Sequence, residues 1–254
     1  MSKGRRTLLK TVLGVVLGLA LLCGGGLIWL VRSVPSPQGD LIEVDGLAGV
    51  HTGGAWVWVV RTAEGAVLVD SGGATEPTAL LAQLERMGLT PDDIHTVLLT
   101  HGHSDHTAGL GAFPEAEVIA GPGEAALVRG EKPPGGALPR MFSGMAGHPW
   151  EGQVREARDG EVLVLGGEAF QVIHVPGHTG GSTMYLWRDT LFSGDSLGAF
   201  GGTVGLLPAL FADDIDQNRA SLHKLLDLEF ARIADGHGGL EENAKDKLHA
   251  FLGG

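Results

Sequence analysis

The longest apolar run in the chain extends from Thr11 to Val31 and contains no charged residue. As a helix of 21 residues it would be about 31 Å long, which is enough to cross the hydrocarbon core of a bilayer. Several basic residues precede this run and only Arg32 follows it closely. The positive-inside rule therefore places the N-terminus in the cytoplasm and the rest of the chain outside it, as in a single-pass membrane protein.

This pattern divides the chain into four parts. Residues 1–10 are predicted to be a basic cytoplasmic N-terminus, 11–31 a transmembrane anchor or signal segment, 32–39 a linker, and 40–254 the folded domain. The alternative to a retained anchor is a cleaved signal peptide, but no small-x-small cleavage site lies between Trp29 and Gln38. The pair Arg5-Arg6 also resembles a twin-arginine export signal.

Beyond residue 40, short apolar runs alternate with a few segments of helical spacing. The runs predict strands at residues 41–44, 56–61, 66–69, 96–99, 117–120, 161–165, 170–175, 183–187 and 190–192. Helices are predicted at residues 76–87, 124–128, from 213 or 214 to 228, and 241–252. Residues 130–159 are rich in Gly and Pro and lack periodicity, which is typical of a functional lid or mobile loop. Together these elements predict a mixed α/β layered fold.

Composition narrows the class of protein. A hydrophobic content of 43% with 19% charged residues supports one large domain with its own core, and a single Cys excludes an intramolecular disulfide. The net charge is −12, yet the first 32 residues carry only basic charges, so the remainder holds 13 basic and 30 acidic residues. A body this acidic repels phosphate backbones, and we therefore expect no nucleic-acid partner.

The strongest chemical signal is a cluster of ligand-type residues directly after a predicted strand. It comprises His101, His103, Asp105 and His106, within six residues of chain. Because side chains at i and i+2 project to the same side at a strand end, His101 and His103 can hold one ion. Asp105 and His106 then face a neighbouring ion. Imidazole and carboxylate are ligands that Zn²⁺ accepts in catalytic sites.

Three further candidates share one pattern, a ligand-type residue flanked by Gly after a predicted strand. These are His178, Asp195 and His237. Each is weak evidence alone, since a lone His after a strand is more often a loop or helix-cap residue. The repeated pattern is better evidence, because Gly lets backbone and ion approach closely. The remaining histidines are interpreted as surface or hydrogen-bonded residues; for His148, in the long loop and outside the residues that the structure below describes, contact with substrate is the alternative. Tyr185 is interpreted as a packing residue, with a substrate-facing phenol as the alternative.

From residue 40 to 249 the sequence resembles the metallo-β-lactamase-fold hydrolase superfamily. The motifs that carry the resemblance occur in the family's order: Val69-Asp70-Ser71-Gly72, His101-x-His103-x-Asp105-His106, Pro176-Gly-His178-Thr, Gly194-Asp195 and Gly236-His237. The resemblance implies a four-layer αβ/βα sandwich, an α/β fold, with a metal site at one edge.

The resemblance also implies a role for each motif residue. His101, His103 and His178 would hold a first metal, while Asp105, His106 and His237 would hold a second; Asp195 would bridge them and Asp70 would support the site. Two zinc ions per chain are expected, with iron or manganese as alternatives. Two ions activate a water that attacks a carbonyl or phosphoryl centre. Asp105 is the candidate catalytic residue, because a ligand with a spare oxygen can orient that water and pass on its proton.

Substrate assignment rests on comparison within the superfamily. Glyoxalase II enzymes and related lactonases usually carry a His where this chain has Ser182, and we do not expect a glutathione-binding region after His237. B3-type β-lactamases resemble the segment from Gly177 to Thr183, but they replace the bridging Asp with Cys or Ser. Persulfide dioxygenases use one iron, whereas this chain has ligands for two metals.

The predicted function is a membrane-anchored binuclear zinc hydrolase of a thioester, ester, lactone or related small carbonyl substrate. The alternatives are a mononuclear iron oxidoreductase similar to persulfide dioxygenases, a B3-like β-lactamase, and a non-catalytic metal-binding membrane protein.

Overall fold

The computed structural model describes residues 41–142 and 149–253. The predicted membrane segment at residues 11–31 and the linker lie outside this part of the chain. Among the described residues no helix combines the length and the apolar character that crossing a bilayer requires. The described residues belong to the compact unit Gln38–Gly254.

The first sheet begins as an antiparallel meander and continues with parallel strands. Its strands lie in chain order: β1 (Leu41–Val44), β2 (Leu47–Thr52), β3 (Ala55–Thr62), β4 (Gly65–Val69), β5 (Ile94–Leu98), β6 (Glu117–Ala120) and β7 (Val154–Glu156). Strands β1 to β4 pair antiparallel, and β4 to β7 pair parallel. Each parallel step requires a crossover, and these crossovers carry helices to the outer face of the sheet.

The second sheet has a similar plan. Its strands are β8 (Val162–Leu165), β9 (Glu168–His174), β10 (Thr183–Trp187), β11 (Thr190–Gly194), β14 (Arg232–Asp235) and β15 (Leu240–Glu241), and their order across the sheet is β15-β14-β11-β10-β9-β8. Strands β8 to β11 form an antiparallel meander, and a crossover then places β14 parallel to β11. A small ribbon, β12 (Gly198–Phe200) and β13 (Thr203–Gly205), follows β11.

Five of the described helices lie in connections between strands, and the sixth follows the last strand. They are α1 (Thr78–Arg86), α2 (Ser104–Thr107), α3 (Ala125–Val128), α4 (Ala137–Phe142), α5 (Ile215–Ser221) and α6 (Ala244–Leu252). Helix α1 buries Leu80 and Leu84, which lie four residues apart on one face, as the sequence predicts. Helix α5 begins at Asp214, whose carboxylate accepts the backbone N–H of Gln217 at 2.9 Å.

Three hydrophobic clusters separate four layers. The first lies between α1 and the first sheet, for example Leu84 against the strands that carry Leu68. The second lies between the two sheets and includes Trp58 and Phe192. The third lies between the second sheet and the helices around Leu222 and Leu248. The expected αβ/βα layering is therefore present in the described part of the chain.

The structure corrects several expected elements. Strand β2 was not predicted, because all six of its residues are buried and show no alternation. The segment predicted as one loop, residues 130–159, contains helix α4 and the edge strand β7. The helix predicted to end at Leu228 is α-helical only to Ser221 and continues as a 3₁₀ helix, Leu222–Asp227.

Candidate metal centre

The seven predicted ligands lie in loops that follow strands of both sheets. Strand β5 leads to His101 and His103 and then to α2, which carries Asp105 and His106; strands β9, β11 and β14 lead to His178, Asp195 and His237. The structure brings all seven together in two groups of ligand atoms. Since parallel strands end at the same edge of a sheet, the topology explains why residues so distant in sequence meet here.

The first group consists of three buried imidazoles. The distance from His101 Nε2 to His103 Nδ1 is 3.0 Å, and His178 Nε2 lies 3.2 Å from the former atom and 3.1 Å from the latter. Burial lowers the pKa of all three rings, that of His178 to about 3 and that of His101 well below its ordinary value. The rings are therefore neutral at physiological pH.

This triangle of nitrogens fits a metal ion better than a hydrogen-bond network. A nitrogen of a neutral imidazole is either a donor or an acceptor, so three nitrogens in mutual contact cannot all pair. Around a Zn²⁺ with N ligands at about 2.0–2.1 Å, tetrahedral geometry places neighbouring nitrogens about 3.3 Å apart. The separations of 3.0–3.2 Å are close to that spacing. The donor set therefore fits a first metal ion.

The second group combines carboxylates with two imidazoles. His106 Nε2 lies 3.8 Å from Asp105 Oδ2 and 3.2 Å from Asp195 Oδ1. His237 Nε2 lies 3.7 Å from Asp105 Oδ2 and 3.1 Å from Asp195 Oδ2. Both His106 Nε2 and Asp195 Oδ1 are buried, and neither has a partner with good hydrogen-bond geometry although the two atoms are 3.2 Å apart. Buried polar atoms left without partners are rare, and here they converge on one point, which fits a second metal ion.

Asp195 lies between the two groups. Its Oδ2 is 3.6 Å from His178 Nε2 and 4.0 Å from His101 Nε2, in addition to its contact with His237. Burial would raise the pKa of this carboxyl, but the charges of His237 and His106 hold it well below its ordinary value. An ionised carboxylate that reaches both groups can bridge two cations.

The second group attracts positive charge. Burial lowers the pKa of His106 and of His237, but the neighbouring carboxylates, with Asp195 as the strongest contributor, together more than offset the effect of burial in both rings. The pKa of His237 rises to about 9, and that of His106 rises well above its ordinary value. In the absence of metal these rings hold protons, which a divalent cation would displace.

Partners on the far side of each ring orient the ligand nitrogens. His106 Nδ1 donates to Asp70 Oδ2 at 2.8 Å, and His237 Nδ1 donates to the carbonyl oxygen of Gly54 at 3.0 Å. His101 Nδ1 lies 3.1 Å from the hydroxyl of Thr100, which itself donates to Asp70 Oδ2. These contacts direct the Nε2 atoms of the three rings into the centre, and Asp70 lies where the resemblance predicted a supporting residue.

Two buried carboxylates near the centre were not identified from the sequence. Asp235 accepts the backbone N–H groups of His237 and Gly239 at 2.8 and 3.0 Å, and it also contacts Ala199 N. Glu124 accepts the backbone N–H of Gly102. In a sequence, an acidic residue before a short helix is typical of a solvent-exposed position. The burial of Glu124 therefore becomes apparent only in the tertiary structure.

The residues interpreted as non-functional have ordinary surroundings. His95, His223 and His249 are exposed, and His51 packs edge-on to Trp56. Tyr185 is fully buried and donates from its hydroxyl to the carbonyl oxygen of Leu99 at 2.9 Å, which supports the packing interpretation.

Several large apolar side chains are exposed on α4 and on the segment before α5. Met141 is on α4, and Leu210 and Phe211 are on a short 3₁₀ helix. That helix is attached to the His178 loop, because Asp213 N donates to the carbonyl oxygen of His178 at 2.9 Å. Exposed apolar surface at Leu210 and Phe211 therefore lies close in the chain to a segment that is hydrogen-bonded to the His178 loop.

Comparison with known proteins gives consistent matches. The family profile of the metallo-beta-lactamase superfamily matches residues 52–237. Metallo-beta-lactamase domain-containing protein 1 of Mus musculus is 36% identical over 109 residues, covering 35% of this chain and 42% of that protein. Hydroxyacylglutathione hydrolase of Aeromonas hydrophila is 32% identical over 174 residues, covering 67% of this chain and 55% of that enzyme. The chain thus spans roughly two fifths to just over half the length of these curated relatives.

Solved structures show the same architecture. The B3 metallo-beta-lactamase BLEG-1 is 29% identical with a TM-score of 0.62, and the match covers 79% of this chain and 95% of that one. The metallo-beta-lactamase family protein TTHA1429 from Thermus thermophilus is 26% identical with a TM-score of 0.60, over 78% of this chain and 73% of that one.

Proposed function

Because this chain belongs to the metallo-beta-lactamase superfamily, we propose that it is a membrane-anchored, binuclear zinc-dependent hydrolase of a thioester, ester, lactone or related carbonyl substrate. The observation that carries the proposal is the pair of ligand groups that share Asp195. Histidine and carboxylate donors suit zinc, and two zinc ions would supply Lewis acidity and a water of lowered pKa.

The side chains of this chain have distinct tasks in the proposed reaction. The five imidazoles would hold the metals, those of His106 and His237 after losing a proton each, and Asp195 would keep the two metals close together. Asp105 is the least buried of the seven, with 41% of its side chain exposed against 27% for His237. A carboxylate open to solvent beside the centre can accept a hydrogen bond from the attacking water and deliver a proton to the leaving group.

The surroundings of the centre favour a substrate with an apolar part. Leu210 and Met141 expose more than half of their surface, and Phe211 is also exposed. The segment with Leu210 and Phe211 leads directly to Asp213, whose backbone N–H donates to the carbonyl oxygen of His178. Exposed apolar groups grouped beside polar catalytic residues are characteristic of ligand-binding sites. Similarity to hydroxyacylglutathione hydrolases supports a thioester within this class. The excess of acidic residues after residue 32 favours a neutral or cationic substrate over a strongly anionic one.

Membrane anchoring remains part of the proposal and rests on residues 11–31. Their uncharged, apolar sequence and the basic residues before them favour a single-pass anchor with the catalytic domain outside the cytoplasm. Reporter fusions after residue 40 and at the C-terminus test this: both should be active only for a reporter that functions outside the cytoplasm. Release of the protein by alkaline carbonate would contradict a retained anchor.

The metal content and substrate range test the enzymatic proposal. The full-length chain, purified in detergent and loaded with zinc, should contain close to two zinc ions per chain by elemental analysis. It should hydrolyse at least one member of a panel of thioesters, esters and lactones, and Glu156→Gln, a surface substitution, should not change that activity. One metal ion or fewer after loading would contradict the binuclear site. A metal-loaded protein that hydrolyses nothing in the panel would indicate a metal-binding protein instead.

One specific observation favours a second candidate, a B3-like β-lactamase. The match to BLEG-1 covers 95% of that enzyme at 29% identity. Against it, Asp195 stands at the bridging position, where such enzymes have Cys or Ser. Including β-lactams in the substrate panel separates the two functions, because a β-lactamase would hydrolyse them much faster than any thioester.

Oxygen uptake by an iron-loaded protein on a persulfide would favour the oxidoreductase alternative.

A further inference from the structure

We propose that Glu124 is a positioning residue that aligns the three-histidine group by joining the two loops that carry it. This inference rests on the proposed metal-binding role of His101, His103 and His178. Glu124 lies just before α3, in a connection that contributes no ligand. Its side chain is nevertheless almost completely buried, with 2% of its surface exposed.

Each oxygen of Glu124 binds a different loop. Oε2 accepts the backbone N–H of Gly102 at 2.6 Å, and Gly102 lies between His101 and His103. Oε1 accepts the hydroxyl of Thr179 at 2.8 Å and the backbone N–H of Gly181 at 2.9 Å, and Thr179 directly follows His178. One carboxylate therefore connects two segments that are more than seventy residues apart in sequence.

The two glycines leave the space that this arrangement needs. A Cβ atom on Gly102 would lie 2.9 Å from Glu124 Oε2, and one on Gly181 would lie 2.7 Å from Oε1. Any larger residue at either position would push the carboxylate away from the backbone N–H that it accepts. The close approach of Glu124 thus gives a structural reason for glycine between the two metal-ligand histidines.

A short chain of hydroxyl groups extends the connection through the second loop. The N–H of Thr179 donates to the Ser182 hydroxyl at 2.8 Å, and the two hydroxyl oxygens are 2.7 Å apart. Because the Thr179 hydroxyl donates to Glu124, the Ser182 hydroxyl donates to Thr179. Ser182 is thereby part of the support for the His178 loop. It does not line the ligand groups, although related enzymes have a His at this position.

A role in packing alone does not account for a carboxylate here. A buried carboxylate is unfavourable unless directed hydrogen bonds compensate it, and an apolar side chain of the same size would fill the space. Three directed donors from two ligand loops instead fix the relative position of His101, His103 and His178. Groups that orient metal ligands in this way typically change metal affinity by one to two orders of magnitude when altered.

The variant Glu124→Gln tests the proposal with little change in size. Its amide group has one acceptor oxygen, so an NH₂ group must face the donors of one of the two loops. We expect zinc affinity at the three-histidine group to fall about 10- to 100-fold, while affinity at the Asp/His group stays within about twofold. Two-site titration of the full chain with zinc against a chromophoric chelator measures both affinities. The d–d spectrum of the cobalt-loaded protein assigns the weakened site.

The matched control is Glu156→Gln. Glu156 accepts the backbone N–H of the neighbouring Gly123 at 2.9 Å, but from an exposed position, so both zinc affinities should match those of the unaltered chain.

A second pair of variants, at Thr179, keeps the test decisive if Glu124→Gln does not fold. Thr179→Val removes one donor and should weaken the same site, whereas Thr179→Ser retains the hydroxyl and should not.

Two results would overturn the proposal. One is unchanged affinity at the three-histidine group in both Glu124→Gln and Thr179→Val. The other is an equal loss of zinc affinity at both groups, together with a lower melting temperature of the variant in excess chelator. A residue that only stabilises the fold would give this result. Failure of the proposed hydrolase activity is distinguishable from either, because metal affinity is measured without any substrate.

Discussion

The carboxylate of Asp70 receives the Nδ1 proton of His106 at 2.8 Å, and both side chains are buried. The same carboxylate accepts the backbone N–H and the hydroxyl of Thr100, each at 2.8 Å. Asp70 therefore connects the end of β4 to the start of the ligand loop after β5. It also holds His106 in the tautomer that leaves Nε2 available for a metal.

The substitution Asp70→Asn should weaken the second metal site. The backbone N–H of Thr100 donates to Asp70 Oδ1 and His106 donates to Oδ2; an amide has only one acceptor oxygen, so one of these two donors loses its partner. We expect zinc affinity at the Asp/His group to fall about 10- to 100-fold, measured by chelator competition. Asp93→Asn, which removes an exposed carboxylate that accepts from Thr90, is the control. Unchanged affinity in Asp70→Asn would show that His106 is oriented by other contacts.

The substitution Asp105→Asn should reduce kcat far more than it alters the fold. Asp105 is the most exposed of the seven ligand-type residues and the proposed proton carrier. Loss of a general acid or base typically reduces the rate about 10²–10⁴-fold. Steady-state kinetics on the best carbonyl substrate, with circular dichroism and metal analysis, measures the effect. Full activity in Asp105→Asn would remove this residue from the mechanism.

Removal of metal should destabilise the folded protein. Without a cation, the neutral nitrogens of His101, His103 and His178 face one another, and Asp195 Oδ1 has no partner with good hydrogen-bond geometry. A ligand at 1,000 times its Kd stabilises the native state by about 4 kcal/mol. Differential scanning fluorimetry should show a lower Tm in chelator and recovery with zinc but not with magnesium, which prefers oxygen ligands. Identical melting curves under all conditions would contradict two occupied sites.

The substitution Tyr185→Phe should affect stability and leave catalysis unchanged. The hydroxyl of Tyr185, on the second sheet, donates to the carbonyl oxygen of Leu99, just after β5 of the first. Leaving that buried carbonyl without a partner costs about 1–3 kcal/mol in free energy of unfolding, measurable by urea denaturation. Because the phenol is fully buried, KM should not change. A raised KM with unchanged stability would mean that the phenol reaches substrate.

The ion pair of Asp189 and Arg232 should contribute pH-dependent stability. Burial alone would raise the pKa of Asp189, but the hydrogen bond from Arg232 lowers it below the ordinary 3.8. A lowered folded-state pKa gives stability that is present above pH 3.8 and is lost as the pH falls through the folded value. Since 51% of the Asp189 side chain is exposed, the effect is limited to about 0.5–1 kcal/mol.

Urea denaturation of Asp189→Asn at pH 7 and near pH 3 measures this contribution. The variant should be less stable than the unaltered chain at pH 7, and the difference should shrink at the lower pH. Asp45→Asn, which removes a more exposed partner of Arg232, should show a smaller loss. A difference that does not depend on pH would indicate that Asp189 acts through something other than its charge.

The sequence was sufficient to predict which side chains meet at the centre. All seven predicted ligand-type residues come together, since each follows a strand and strands of this topology end at one edge. Local patterns also predicted α1, where Leu80 and Leu84 recur at helical spacing and Gly88 follows. These features depend on the spacing of residues that are close in sequence and on motifs shared with a known superfamily. Both can be identified directly in a sequence.

Other features depend on contacts that local patterns do not encode. Strand β2 is buried on both faces, so its residues show no alternation. Strand β7 lies in a segment of irregular sequence and forms only because β6 offers a free edge for parallel pairing. Glu124 precedes a short helix, and its role depends on donors from Gly102 and Thr179 that are 22 and 55 residues away.

The origin of the ligands has a consequence for how the protein matures. His101, His103, Asp105 and His106 follow strands of the first sheet, whereas His178, Asp195 and His237 follow strands of the second. Neither half of the chain can complete either group of ligands by itself. Binding of metal at full affinity therefore requires that the two halves have already docked, which makes metal binding a late step in the folding of this chain.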